Sequence, residues 1–276
     1  MKPDRTSPRL LLLDIGNTHC HVGLSTGDQL LRHADLPTPA LATSRGGRLL
    51  KSFLGREAPG AAVLCSVVPG ATRHAQRLIR TGFDLDPLLL THATVRGVGL
   101  DYPTPETIGP DRLANAIAAR HYFGQPCVVV DFGTAVTFDI VNARGDYVGG
   151  IIAPGLAAMT EYLHEKTALL PRIQIREVTS AIGRSTEEAM LVGAVHGYRG
   201  LVRELIVELR KELAVRRLPV VATGGYAQLM AHGVSDIHHV QPNLTLDGLR
   251  LLWLHHQDPP PSSATSRRRR SKPTPR

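Results

Sequence analysis

Aromatic side chains are scarce in this 276-residue sequence, at 4% with a single Trp, so any buried core must be aliphatic. Its three cysteines, Cys20, Cys65 and Cys127, are odd in number and form no CxxC pair. That argues against a disulfide framework or a zinc knuckle and fits a reducing cytoplasm. No apolar run approaches the ~18 residues of a membrane span, and Leu10–Leu13 ends on Asp14, too short for a signal-peptide core or an anchor. Also missing are a GxxxxGK[ST] phosphate loop, a GxGxxG dinucleotide turn and an HRD signature.

Basic charge is scarce where it would matter. The formal net charge is +8, yet the last nineteen residues hold five Arg and one Lys against one Asp, and residues 1–9 add Lys2, Arg5 and Arg9 against Asp4. The body, 10–257, is left with a net charge of +1. Its surface therefore gives no electrostatic reason to expect a nucleic-acid partner. What is present is ordinary for a globular chain of one large or two modest domains, 42% hydrophobic and 20% charged.

Residues 1–9 and the Pro-, Ser- and Arg-rich tail 258–276 read as disordered. Between them, short β-rich runs alternate with helical patterns, which predicts an α/β protein. The predicted strands are Leu10–Asp14, His19–Leu24, Ala62–Val67, Val128–Asp131, Val136–Val141, Tyr147–Ile152 and Val220–Thr223. One predicted helix opens at Gly109-Pro110 and stops before Gly124, with Leu113, Ala116, Ile117 and His121 at helical spacing. A second opens with the capping box Ser185-Thr186-Glu187-Glu188 and carries an apolar stripe through Tyr198, Leu201, Val202, Leu205, Ile206, Leu209 and Leu213.

An internal repeat organises these elements. Leu11–Thr18 and Val128–Ala135, 117 residues apart, share one grammar: three aliphatics, Asp, an apolar residue, Gly, then a small polar residue. Two related halves, 10–122 and 123–257, each opening with a hairpin, are the expectation. A glycine turn lets amides approach phosphate oxygens, while the carboxylate before it can hold a neutralising cation. Either turn alone could be a plain strand end; two facing turns would clamp a polyphosphate. Thr223-Gly224-Gly225 after a strand adds a flat backbone surface suited to a nucleoside.

Asp14-Ile15-Gly16-Asn17-Thr18, Gly109-Pro110-Asp111-Arg112, Asp131-Phe132-Gly133-Thr134-Ala135, Thr223-Gly224-Gly225 and Pro242–Leu249, in this order, resemble type III pantothenate kinase over about residues 10–255. The resemblance implies the actin-like ATPase fold, two duplicated ribonuclease-H-like halves with ATP in the cleft between them. It implies phosphorylation of pantothenate with ATP, Mg²⁺ accompanying the nucleotide, and potassium or ammonium held at Asp131. By similarity Asp14, Ile15, Gly16, Asn17, Thr18, His19, Cys20 and His21 wrap the phosphates and Thr134 adds a contact. Tyr102, Gly109, Pro110, Asp111, Arg112 and Thr186 hold pantothenate, with Asp111 as proton acceptor. A cytoplasmic homodimer is implied as well.

The chemistry suits those assignments. Arg112 can offer paired donors to a carboxylate, and Asp111 can orient a hydroxyl and take its proton. The arginine beside it should keep that aspartate ionised. Plain readings remain for each: Asp111 is favoured in any first helical turn, Tyr102 could cap the core, and the capping box alone explains Thr186. His19 and His21 share one strand face, but no third metal ligand stands at a recognisable spacing. A sugar or small-acid kinase of the same superfamily is one alternative, which would not need the Gly-x-Asp-Arg helix start. A regulatory, nucleic-acid-associated protein is the other.

Overall fold

Leu10, Leu11, Leu12 and Leu13 are all at most 1% exposed, so the strand they form is covered on both faces and belongs in the middle of a sheet. In the computed structural model, which describes residues 8–257, this strand is β1 (Leu10–Ile15). It pairs antiparallel with β2 (His19–Ser25), and β2 with β3 (Leu30–Pro37). On its other side it runs parallel to β4 (Ala61–Ser66), which pairs with the short β5 (Leu88–Leu89). The order is β3-β2-β1-β4-β5.

The second sheet repeats that order. β7 (Cys127–Phe132) pairs antiparallel with β8 (Ala135–Val141) and parallel with β10 (Val220–Thr223). With β9 (Asp146–Pro154) and β11 (His239–Val240) the series is β9-β8-β7-β10-β11, and β6 (Gly99–Leu100) is added beside β9. Asp14 lies opposite His21 across the first hairpin and Asp131 opposite Thr137 across the second. The copies differ in their turns: Gly16-Asn17-Thr18 separates the first pair of strands, Gly133-Thr134 the second.

Helices fill three layers. α1 (Ser44–Leu54) and α2 (Pro69–Phe83) cover one face of the first sheet, where Leu50, Leu54, Ala75 and Ile79 meet Leu11, Leu13 and Ile15. Between the two sheets lie α3 (Pro110–Phe123) and α8 (Leu244–Gln257), in one core with Leu10, Leu12, Val129 and Val221. α3 is buried without a break from Leu113 to Ala119, because it faces a sheet on each side. α8, encoded at the far end, packs against α3, β1, β2 and β4. Gly248 permits the crossing, since a Cβ there would overlap the Ala114 carbonyl. The outer face of the second sheet packs on α6 (Tyr198–Glu212), with α4 (Leu156–Lys166) and α7 (Ala227–His232) beside it.

All seven predicted strands are present, and β3, β5, β6 and β11 are additional. β3 escapes the apolar pattern because it is a largely exposed edge strand. The second predicted helix is continuous but not uniform: α5 (Thr186–Val192) passes through a π-helical turn, Gly193–Gly197, into α6. Ser185 Oγ accepts from the Glu188 amide at 3.2 Å, whereas the Glu188 carboxylate takes the Arg184 amide, one residue earlier than a capping box requires. Leu201 departs from the expected buried stripe and is 37% exposed, at the edge of the face whose buried centre is Tyr198, Val202 and Ile206. Of the N-terminal segment 1–9, Pro8 and Arg9 fall within the described residues, and the Arg9 carbonyl accepts from the Gly60 amide at 2.8 Å. The tail 258–276 lies outside them. No helix among the described residues is long and apolar enough to cross a membrane.

Candidate active site

Both hairpin turns open onto one cleft of about 630 Å³. The first contributes Asp14, Gly16, Asn17, Thr18, His19 and His21, the second Asp131, Gly133 and Thr134. Gly109, Asp111 and Arg112 enter from the start of α3, and Thr223-Gly224-Gly225 follows β10. Hydrogen bonds close the turns: the Gly16 amide to the His19 carbonyl at 3.0 Å, and the Gly133 amide to the Ala135 carbonyl at 3.1 Å. Gly224 has φ +87°, and a Cβ there would stand 2.5 Å from Asp131 Oδ1, so only glycine fits beside this carboxylate.

Asp111 occupies the first turn of α3 with its Oδ1 accepting from the Arg112 amide at 2.9 Å. A Cβ on Gly109 would come within 2.6 Å of that oxygen, which accounts for glycine at the helix start. Burial raises the Asp111 pKa, opposed by the Arg112 amide and guanidinium. Arg112 turns away, donating from Nε to Asp139 Oδ1 at 2.6 Å and from Nη2 to the Phe138 carbonyl at 2.9 Å.

The other carboxylates are perturbed in the same direction. Burial, then the charge of Asp111, lifts Asp14 to about 7, against the pull of His21 and a hydrogen bond from the Cys65 thiol. Asp131 is lifted to about 6 by burial, while Asn115 Nδ2 donates to its Oδ2 at 3.2 Å and opposes the rise. Asn115 is held in turn by Thr245 Oγ1 of α8 at 2.9 Å. Part-buried Asp14, Asp111 and Asp131 and buried Asp139, with one arginine among them, make a site short of positive charge.

Five expected positions do not line the cleft. Ile15 and Cys20 are fully buried beneath the first turn, where the Ile15 carbonyl accepts from Val67 and burial pushes the Cys20 thiol up. Pro110 is part-buried in the first turn of α3. Tyr102 packs edge-on against Tyr147 at 6.1 Å, and that second ring lies under the Arg112 guanidinium at 5.8 Å. Thr186 is exposed at the start of α5. Conversely, Asn115 and Asp139 escape the sequence reading, although a lone Asp inside Val136–Val141 is the mark of a buried, paired charge.

Comparison with known proteins agrees with this arrangement. The architecture is shared with a conserved Campylobacter jejuni protein described as a Baf family transcriptional activator, at TM-score 0.57 and 22% identity over 89% of this chain and 98% of that one. Ethanolamine utilization protein EutJ of Carboxydothermus hydrogenoformans has a TM-score of 0.53 at 14% identity, covering 89% and 90%. These likenesses speak for the fold alone, the two sheets of repeated strand order described above. Sequence similarity reaches further. The type III pantothenate kinase of Akkermansia muciniphila is 49% identical over 243 residues, 87% of this chain and 96% of its own, and that of Methylacidiphilum infernorum is 41% identical over 245, 88% and 87%. The family model for type III pantothenate kinase matches residues 10–208, the stretch that builds both Asp turns and the Gly-Pro-Asp-Arg helix start, and the chain belongs to that family.

Proposed function

We propose that this kinase transfers the γ-phosphoryl group of ATP to the primary hydroxyl of pantothenate, yielding 4′-phosphopantothenate, the first step toward coenzyme A. One observation carries the residue-level reading: Asp111 stands in the wall of the same cleft as both Asp-x-Gly turns. Its Oδ1 is engaged by the backbone, so Oδ2 is the oxygen that takes the hydroxyl proton as the new P–O bond forms and ADP leaves. The Gly16 and Gly133 amides are spent in closing the turns, so the amides of Asn17, Thr18 and Thr134 meet the phosphates, with His19 and His21 beside them. Ile15 and Cys20 then shape the first turn from below. Gly224 and Gly225 face the nucleoside.

The cleft suits bound cations. Among the described residues no three His, Cys, Asp or Glu side chains are grouped as a metal site, so protein ligands alone do not make one. Asp14 and Asp131, part-buried and lacking full charge compensation, would hold Mg²⁺ with the nucleotide and a potassium or ammonium ion respectively. Cations held there would supply neutralising charge to the transferring phosphoryl group. Arg112 meets the pantothenate carboxylate through its remaining Nη1/Nη2 edge, and Tyr102 supports it by way of Tyr147.

Thr186 reaches substrate in this reading from a second copy of the chain, because it lies outside its own cleft. Exposed apolar side chains support a homodimer: Ile152, 66% exposed at the cleft, with Tyr162 and Ile182 elsewhere. Purified protein should release ADP only when pantothenate is supplied, and replacing potassium by sodium should lower the rate. Undiminished activity in sodium removes the role given to Asp131.

A further inference from the structure

Arg112 rests in a cradle whose parts are far apart in sequence. Asp139, 0% exposed, accepts from Nε, and the neighbouring Phe138 carbonyl accepts from Nη2. Tyr147 underlies the guanidinium face. Opposite Asp139, across the β8/β9 ladder, stands Gly150, where a Cβ would collide with Arg112 Nη2. Oδ2 of Asp139 is buried with no hydrogen-bond partner among the described residues. A carboxylate so desolvated and half-satisfied is a poor device for stability, since a hydrophobic replacement of a buried pair is often neutral or better.

We propose that Asp139 is a positioning residue for substrate recognition: it fixes Arg112 by the Nε/Nη2 edge so that the Nη1/Nη2 edge is presented to the pantothenate carboxylate. Asp139 touches neither substrate; its effect passes through the arginine. The inference rests on the reading that Arg112 meets the carboxylate.

The test compares kcat/KM for pantothenate with that for pantothenyl alcohol, which keeps the reacting hydroxyl and lacks the carboxylate. Wild type should prefer pantothenate. Asp139→Ala should erase most of that preference, raising the pantothenate KM about tenfold or more, while the ATP KM and the turnover of the alcohol change by less than about threefold. Asp139→Asn keeps an acceptor for Nε and should restore part of the preference; if the alanine variant fails to fold, this one decides, by a selective rise in pantothenate KM. An unchanged preference in the folded variants overturns the inference, as does an equal loss on both substrates and ATP, which a structural role would give. Absence of any preference in wild type instead removes the Arg112 assignment, and is thereby distinguishable.

Discussion

Asp111→Asn is the sharpest probe of the proposed chemistry, because it removes the proton acceptor and little else. The amide is the same size, its Oδ1 can still accept from the Arg112 backbone, and Gly109 still leaves room for it. A positioned general base contributes roughly 10²–10⁴-fold. Two features of the site bear on where in that range the loss falls. Burial gives Asp111 a raised proton affinity, which favours a large contribution. The loose transition state of phosphoryl transfer, with little proton movement early on, favours a small one. About 10²–10³-fold in kcat is therefore expected, or about 2.7–4 kcal/mol of barrier. Pantothenate KM should move by less than about threefold, since the asparagine retains a hydrogen bond to the hydroxyl. The assay is pantothenate-dependent ADP release, with labelled product to exclude ATP hydrolysis. Wild-type activity should fall on the acid side through a pKa above the ordinary aspartate value of 3.8, because the base works only deprotonated and burial has raised it. That limb should vanish from the residual activity of the variant. Turnover within fivefold of wild type, or an unchanged acid limb, would refute the assignment.

Three further outcomes are expected. Gly224→Ala places a side chain at φ +87° against Asp131; such strain costs about 1–3 kcal/mol, a loss of about 2–4 °C in Tm per kcal/mol for a chain of this size, and phosphorylation should fall with it. Ligand-free protein should lose thermal stability as pH rises from about 4 to about 7, because the folded pKa values of Asp14 and Asp131, about 7 and about 6, exceed their unfolded value near 3.8. The folded state binds more protons in that window, so its advantage is full below it and lost above; a Tm that climbs across the window contradicts the burial described. A chain ending at Gln257 should phosphorylate pantothenate at the wild-type rate, since every cleft residue lies between Asp14 and Leu246; a large loss would assign the tail a part in catalysis.

The sequence was most legible where local rules coincide with the site. The two Asp-x-Gly turns announce themselves because β1 and β7 are buried on both faces and stop at a charge, and Pro110 and Gly124 bracket α3 by well-known end signals. Legibility fails where burial comes from distant partners. α8 has Leu, Gly and even Arg250 buried around it, so it carries little helical stripe to read. Asp139 sits in an apolar strand, and nothing near it in sequence signals that Arg112, twenty-seven residues earlier, is its partner. Asn115 looks like one more polar residue in an alanine-rich helix, although it joins Asp131 to α8. That Arg112 spends its Nε and Nη2 on Asp139 and the Phe138 carbonyl is likewise a tertiary fact.

The crossing of α8 over α3 also bears on how the chain is made. Synthesis makes β1 long before α8, yet the inward face of the first sheet receives part of its cover from α8, the last helix among the described residues. Until Leu244–Gln257 leaves the ribosome, the nascent chain must carry that apolar face and α3 incompletely packed, the condition in which partly made proteins aggregate or recruit chaperones. Shortening the gene by a few codons inside α8 would therefore cost yield of folded protein before it touched any group in the cleft.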